Sequence, residues 1–122
     1  MTFERSATGK IGEEKAAEYL RKQGYAILDR NWKTRRAEID IAAQKSGTLV
    51  VVEVRTTTTE RYGTPEETLT WKKKRKLLLN SRAYALYRKH AGPVRIDAVC
   101  VVFAGSASNS PLRLTHYENI LC

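Results

Sequence analysis

Glu53 and Arg55 interrupt an otherwise apolar run, Leu49-Val50-Val51-Val52-Glu53-Val54-Arg55. Residues two apart in an extended strand share a face, so the two side chains lie together. An ionised carboxylate in such a strand is strongly unfavourable unless a cation meets it, and Arg55, a lysine or a metal ion would each serve. A structural Glu–Arg pair explains the spacing as well as a reactive one does. Asp40 adds weight to the second reading. It lies in the segment Ala37 to Ala43, which alternates Ile39, Ile41 and Ala43 with Glu38, Asp40 and Ala42. A hairpin between the two segments sets both carboxylates at one edge of a sheet, where they repel unless a cation lies between them. Magnesium suits that arrangement, since it takes one or two protein carboxylates, keeps several waters and binds phosphate oxygens. Glu38 shares the Asp40 face and reads as a surface residue. Glu13 falls inside the apolar arc of Gly12, Ala16, Ala17 and Leu20 on a helical wheel, which turns it toward the sheet; an edge Glu reaching solvent or a nearby cation is the alternative.

These residues need elements to hold them. Thr8 to about Gln23 has helical periodicity and Gly24 is placed to end it. Tyr25 to Leu28 reads as a short strand. Ala37 to Ala43 and Leu49 to Val54 flank the turn signal Lys45-Ser46-Gly47 and read as a hairpin, the second strand apolar enough to be covered on both faces. Thr56 to Pro65 is a polar loop leaving the Glu53 strand. Thr64-Pro65-Glu66-Glu67 fits a capping box, and the main helix is expected from about Trp71 to His90, before Gly92-Pro93. Val94 to Phe103 is a second apolar strand, Gly105 to Pro111 a Ser-rich turn, and Leu112 to Tyr117 a last strand. The fold class is therefore α/β, a mixed central sheet flanked by helices in the order α-β-β-β-α-β with an extra C-terminal strand.

Composition narrows the function. At 122 residues the expectation is one domain, residues 1–122, able to fold without a metal or disulfide staple. The net charge of +9 points to a polyanionic partner, and the hydrophobic share of 42% speaks against a disordered basic tail. No apolar run approaches the roughly 20 residues of a membrane span and no signal-peptide core is present, so a cytoplasmic protein without a membrane partner is expected. Cys100 and Cys122 give neither a disulfide framework nor zinc-ligand spacing.

Gly12-Glu13, Tyr19-Leu20, Gly24-Tyr25, Asn31-Trp32, Glu38-Ile39-Asp40, Val52-Glu53-Val54, Gly63, Lys73, Arg95-Ile96-Asp97 and Asn119 occur in this order between about Gly9 and Asn119. In these the chain resembles the small bacterial YraN-like proteins, a family of endonuclease type with the restriction-endonuclease-like fold, distant kin of archaeal Holliday junction resolvases. The resemblance implies a three-layer nuclease core in which Asp40 and Glu53 ligate magnesium or manganese, the Val54 carbonyl is a further ligand, and Glu13 contributes from the first helix. The acid, spacer, acid-x-base pattern then reads Asp40, twelve residues, Glu53-Val54-Arg55. A metal there would orient a phosphate and acidify a bound water, with the cation at position 55 holding either. The family usually has Lys where this chain has Arg55, and guanidinium keeps its charge where an ammonium can lose a proton, so only positioning and electrostatic roles remain for it. Ala37 replaces a glycine common before Glu38-Ile39-Asp40.

The cations cluster. Lys72-Lys73-Lys74-Arg75-Lys76 opens the main helix, and the stripe Leu79, Ala83, Leu86, Tyr87, taken as core-facing, extrapolates back to Lys76, Arg75 and Lys72. Those residues and Lys73 suit a phosphate backbone. Lys33, Arg35 and Arg36 form a second group between the first two strands, beside Trp32, which either stacks on exposed bases or simply packs. Asp97 after Arg95 reads as a structural salt bridge, and neither His90 nor His116 has a partner at metal-ligand spacing. The expected function is a metal-dependent endonuclease acting on DNA, branched or structured DNA included. A non-catalytic nucleic-acid-binding protein of the same fold is the first rival and a basic protein-interaction subunit the second. Whether two copies pair to cut two strands stays open at this point.

Overall fold

The structure, a computed structural model, describes residues 7–58, 63–104 and 110–121. Ala7–Lys22 forms α1. Gly12, Ala16, Ala17 and Leu20 give it one buried side, and it ends where Gly24 takes a φ of 94° that L side chains rarely adopt. Three strands follow: β1 (Ala26–Lys33), β2 (Glu38–Lys45) and β3 (Thr48–Thr57). Ser46 and Gly47, with φ of 50° and 79°, supply the two left-handed residues that a tight β2–β3 hairpin requires. A 3-10 turn at Pro65–Thr68 carries the capping box of Thr64 and Glu67. The second helix, α2 (Trp71–Arg88), is capped by the Thr70 side chain, which accepts the Lys73 N–H at 3.2 Å. Strands β4 (Val94–Phe103) and β5 (Pro111–Tyr117) complete the chain.

The sheet order is β1-β2-β3-β4-β5, antiparallel except for the parallel β3–β4 pair that the α2 crossover joins. Helix α1 covers one face, burying Ile41, Ala43, Val50, Val52, Val54, Val99 and Val101. Helix α2 covers the other over Ile39, Ala42, Leu49, Val51 and Ile96. The sheet is thus the middle of three layers. Among the described residues no helix is long and apolar enough to cross a membrane.

Several expectations need correction. Strand β1 extends to Lys33, five residues past Leu28, because its polar residues find partners: Arg30 pairs with Glu14 at 2.8 Å and Asp29 accepts the Tyr84 hydroxyl at 2.6 Å. Lys33 therefore ends a strand rather than lying between two. The core-facing side of α2 is not Leu79, Ala83, Leu86 and Tyr87, since Leu79 is 57% and Leu86 79% exposed. It is Leu77, Asn80, Ser81 and Tyr84. The Asn80 amide donates to the Glu38 carbonyl at 3.0 Å and the Ser81 hydroxyl to the Leu78 carbonyl at 2.7 Å, so buried polar groups replace the leucines that periodicity favours. The helix also stops at Arg88, two residues before His90, with Lys89 left-handed at φ 54°. The two faces of β2 are not strictly alternating either: Ile39 packs toward α2 and Ile41 toward α1. The Ser-rich turn lies largely outside the described residues, as does Cys122. Cys100 is fully buried, which pushes its thiol up to about 12 and leaves it inert.

Candidate active site

Strands β2 and β3 pair from Lys45 opposite Thr48 as far as Ile41 opposite Val52. One step further the ladder stops, and the Asp40 side chain takes over from the backbone: its Oδ2 accepts the Val54 N–H at 2.9 Å. The two strands therefore separate at Asp40. A residue's N–H and C=O point to the same edge of a strand, so the Val54 carbonyl faces the same opening. The neighbouring strand β1 is irregular at the same level. Asn31 is left-handed at φ 54°, and Trp32 packs toward α2 although Arg30, two residues earlier, meets Glu14 of α1. Ile39 follows Trp32 to the α2 side, and Asp40 is left at the bend.

On the α2 face Glu53 is 6% exposed. Its Oε2 meets Arg55 Nη1 at 3.0 Å and Lys73 Nζ at 3.4 Å. Arg55 is itself fixed, since its Nε donates to Thr68 Oγ1 at 2.8 Å and that hydroxyl donates to the Pro65 carbonyl at 2.6 Å. The 3-10 turn thus holds the guanidinium against the carboxylate. Lys73 was read above as a backbone contact, yet it lies one helical turn before Leu77 on the inward side and reaches the acidic site. Lys72, Arg75 and Lys76 are exposed on the outer side of the same turns. Five cations in the first six residues of α2 stand at the positive end of the helix dipole, with no acidic residue in the first turn to offset them.

Glu13 is buried, 6% exposed, on α1. Its neighbour Gly12 lies so close to the Thr56 side chain that a Cβ could not fit, which anchors α1 against the end of β3 beyond Arg55. Glu13 therefore reaches the same end of the sheet from the opposite face. It does not join Asp40 and Glu53 in a three-carboxylate cluster: among the described residues no three His, Cys, Asp or Glu group closely enough to hold a metal. The residues that could hold a cation at this end of the sheet are Asp40, Glu53 and the Val54 carbonyl, hard oxygen donors of the kind magnesium or manganese takes with water completing the shell. Lys33 ends β1, and Arg35 and Arg36 project from a tight turn in which Thr34 Oγ1 accepts the N–H groups of Arg36 at 3.3 Å and Ala37 at 3.1 Å. All three cations are exposed.

A second polar group was not legible in full. Arg95 pairs with Asp97 at 2.9 Å as expected, but the fully buried Asp97 also meets His116 Nε2 at 2.8 Å and the Asn119 N–H at 2.9 Å. His116 Nδ1 lies 3.0 Å from the Tyr19 hydroxyl. Burial works to raise the Asp97 carboxyl, and the hydrogen bonds from His116, Arg95 and Asn119 outweigh it, holding the group below the usual range. This network ties the C-terminal segment and α1 to β4.

The sequence pattern of the uncharacterised protein family UPF0102 matches residues 12–101. A UPF0102 protein of Persephonella marina is 48% identical over 95 residues, spanning 77% of this chain and 82% of the relative. One from Phocaeicola vulgatus is 37% identical over 115 residues, 94% of this chain and 92% of the relative. One from Pelotomaculum thermopropionicum is 38% identical over 120 residues and 98% of both chains.

Proposed function

Because the chain belongs to the uncharacterised protein family UPF0102, its activity has to be read from its residues, and we propose that it is a magnesium- or manganese-dependent phosphodiesterase acting on DNA. The observation that carries this reading is the Val54 N–H held by Asp40 where β2 and β3 separate, next in sequence to a buried Glu53 whose carboxylate holds both Arg55 and Lys73. A divalent ion held by Asp40, Glu53 and the Val54 carbonyl would neutralise charge on the phosphate and acidify a bound water. The chain's own residues have distinct tasks. Arg55 stays charged and, locked by Thr68, orients a phosphate oxygen or the attacking water. Lys73 supplies what Arg55 lacks, an amine able to hold or pass a proton beside Glu53. Lys72, Arg75 and Lys76 bind the backbone on one side, and Lys33, Arg35 and Arg36 on the other.

One observation favours a second reading, a DNA-binding protein that does not cut: Arg55 and Lys73 already compensate Glu53, so no metal is needed to keep its charge buried. The test is a panel of duplex, single-stranded, flapped and four-way DNA incubated with Mg²⁺ or Mn²⁺. Product is expected, and Asp40→Asn and Glu53→Gln abolish it while DNA binding persists. Cleavage undiminished in both variants removes the site. Salt-sensitive binding without product under either metal establishes the second reading instead.

A further inference from the structure

Beside Asp40, on the side away from β3, lies a recess of about 190 Å³ lined by Asn31, Trp32, Lys33, Glu38, Ile39 and Asp40. We propose that this recess receives an unpaired base next to the scissile phosphate, so that the preferred substrate is DNA with an unstacked nucleotide at the cleavage position. The inference rests on the phosphodiesterase reading for the word scissile, and on the recess alone for the base.

Four features of the recess fit a base. Its volume is below the roughly 300 Å³ of a drug-sized pocket and accommodates one planar ring system. Trp32 and Ile39 give it an apolar wall, and an aromatic wall suits stacking with any base. The indole is held from behind, its ring centroid 5.0 Å from that of Tyr84 at an interplanar angle of 85° and 5.3 Å from that of Tyr87, so it is a fixed surface. The polar rim matches a base edge: the Glu38 carboxylate accepts from an exocyclic amine, the Asn31 amide both donates and accepts, and both residues are exposed. A phosphate is poorly suited to a hollow in which Glu38 and Asp40 outnumber the single cation Lys33. It is well suited to the adjoining turn, where Arg35 and Arg36 stand exposed on a backbone braced by Thr34. Asp40 lines the recess and also accepts the Val54 N–H at the proposed cleavage site, so the recess and that site share one side chain. A base stacked inside a duplex cannot enter without leaving the helix, and that cost is smallest where it is already unpaired.

The experiment measures binding in EDTA at fixed salt, by anisotropy, of a short duplex and of the same duplex with one extra unpaired nucleotide. The bulged DNA is expected to bind about tenfold more tightly, in the range of one base stacked on an aromatic ring. Trp32→Leu brings that affinity down to the duplex value and leaves duplex binding within about twofold, whereas Trp32→Phe keeps most of the preference. A 2-aminopurine at the unpaired position is quenched by the parent protein and by Trp32→Phe, and not by Trp32→Leu. Equal affinity of the parent for both DNAs, or equal weakening of both by Trp32→Leu, overturns the proposal. Should Trp32→Leu fail to fold, Asn31→Gly decides. It keeps the left-handed backbone, leaves the aromatic cluster untouched and removes the amide. It is expected to cut the preference about threefold, and an unchanged preference is the contrary result. Because no metal is present, a negative outcome here leaves the cleavage reading standing, and a protein that never cuts can still show the preference.

Discussion

Lys72 and Lys73 are adjacent in sequence and equal in charge but about 100° apart around α2, one exposed and one on Glu53, so neutralising each in turn separates a lysine proposed to work on the reacting groups from one proposed to hold the backbone. In Lys73→Met the Glu53 carboxylate keeps Arg55 at 3.0 Å and loses an ammonium at 3.4 Å. An ion pair near that distance is worth about 4 kcal/mol at an effective dielectric constant of about 20 and about 1 kcal/mol in water. The Lys73 side chain is 35% exposed, so the pair belongs near the weak end, about 0.5–1 kcal/mol of folding stability. For a chain of this length that is a fall in Tm of about 2–4 °C. The effect on turnover is expected to be far larger, about 10²- to 10⁴-fold, if the amine passes a proton during phosphodiester hydrolysis. Lys73→Arg keeps the charge without the ability to deprotonate and is expected to stay inactive. Lys72→Met removes the same charge one residue away, lowers the slope of log affinity against log salt by about 0.9 on duplex, and leaves turnover at saturating DNA unchanged. The assay is single-turnover cleavage at saturating protein with Mn²⁺, beside thermal unfolding of each variant. Equal rate losses in Lys72→Met and Lys73→Met would refute the assignment.

Other perturbations follow from the same geometry. Lys72→Gln with Lys76→Gln is expected to stabilise the fold by a few tenths of a kcal/mol, since Lys72 in the first turn opposes the dipole at the start of α2, while DNA affinity and its salt slope both fall; a variant less stable than the parent contradicts this. Arg55→Lys loses the Thr68 bond, because one ammonium cannot span both partners as Nε and Nη1 do, and should cost about 1 kcal/mol in urea unfolding. Turnover is not expected to rise, Lys73 being already in place, and a clear gain would show that Arg55 suppresses catalysis. Glu66 binds Arg113 at 2.6 and 3.1 Å and accepts the Tyr117 hydroxyl at 2.7 Å, and the Arg113 bonds above all hold its carboxyl down at about 2. A lowered folded-state value means stability fully present above the ordinary value of 4.5 and lost as pH falls toward about 2. Glu66→Gln is therefore expected to cost about 1–2 kcal/mol at pH 7 and progressively less between pH 4.5 and 2, read by unfolding at each pH. A pH-independent difference would count against it.

The β2–β3 register was legible because one short turn fixes it. Lys45-Ser46-Gly47 pins Lys45 opposite Thr48, and the pairing runs out to Ile41 opposite Val52, one step short of Asp40 and Glu53. The strand alternation that buries Val50, Val52 and Val54 on one face leaves Glu53 and Arg55 on the other by the same arithmetic. The face of α2 was not legible. Leucine occupies positions 77, 78, 79 and 86, so apolar residues surround the helix, and the inward face was decided by Asn80 and Tyr84 through partners about 40 and 55 residues away. Lys73 was singled out in the sequence, but its inward direction was hidden by the same mistake, although four residues before Leu77 is the position that shares its side. Nor does periodicity reveal a left-handed Asn31, which lines the recess beside Asp40.

The charges on α2 make sense only together with the end of the sheet they face. The parallel β3–β4 pair requires a crossover, which leaves from the carboxyl end of β3 and so delivers the start of a helix to the point where β2 has already turned away. Free N–H groups, a positive dipole end and a gap between strands coincide there by topology, before any side chain is chosen. Acidic side chains from the strands and basic ones from the helix then face each other across that gap. Glu53 offsets Lys73, but Lys72, Arg75 and Lys76 remain exposed at the end of the helix that least favours them. On the proposed DNA-binding reading, a bound polyanion would turn this repulsion into affinity, and this edge of the fold would be stabilised by its ligand rather than by itself.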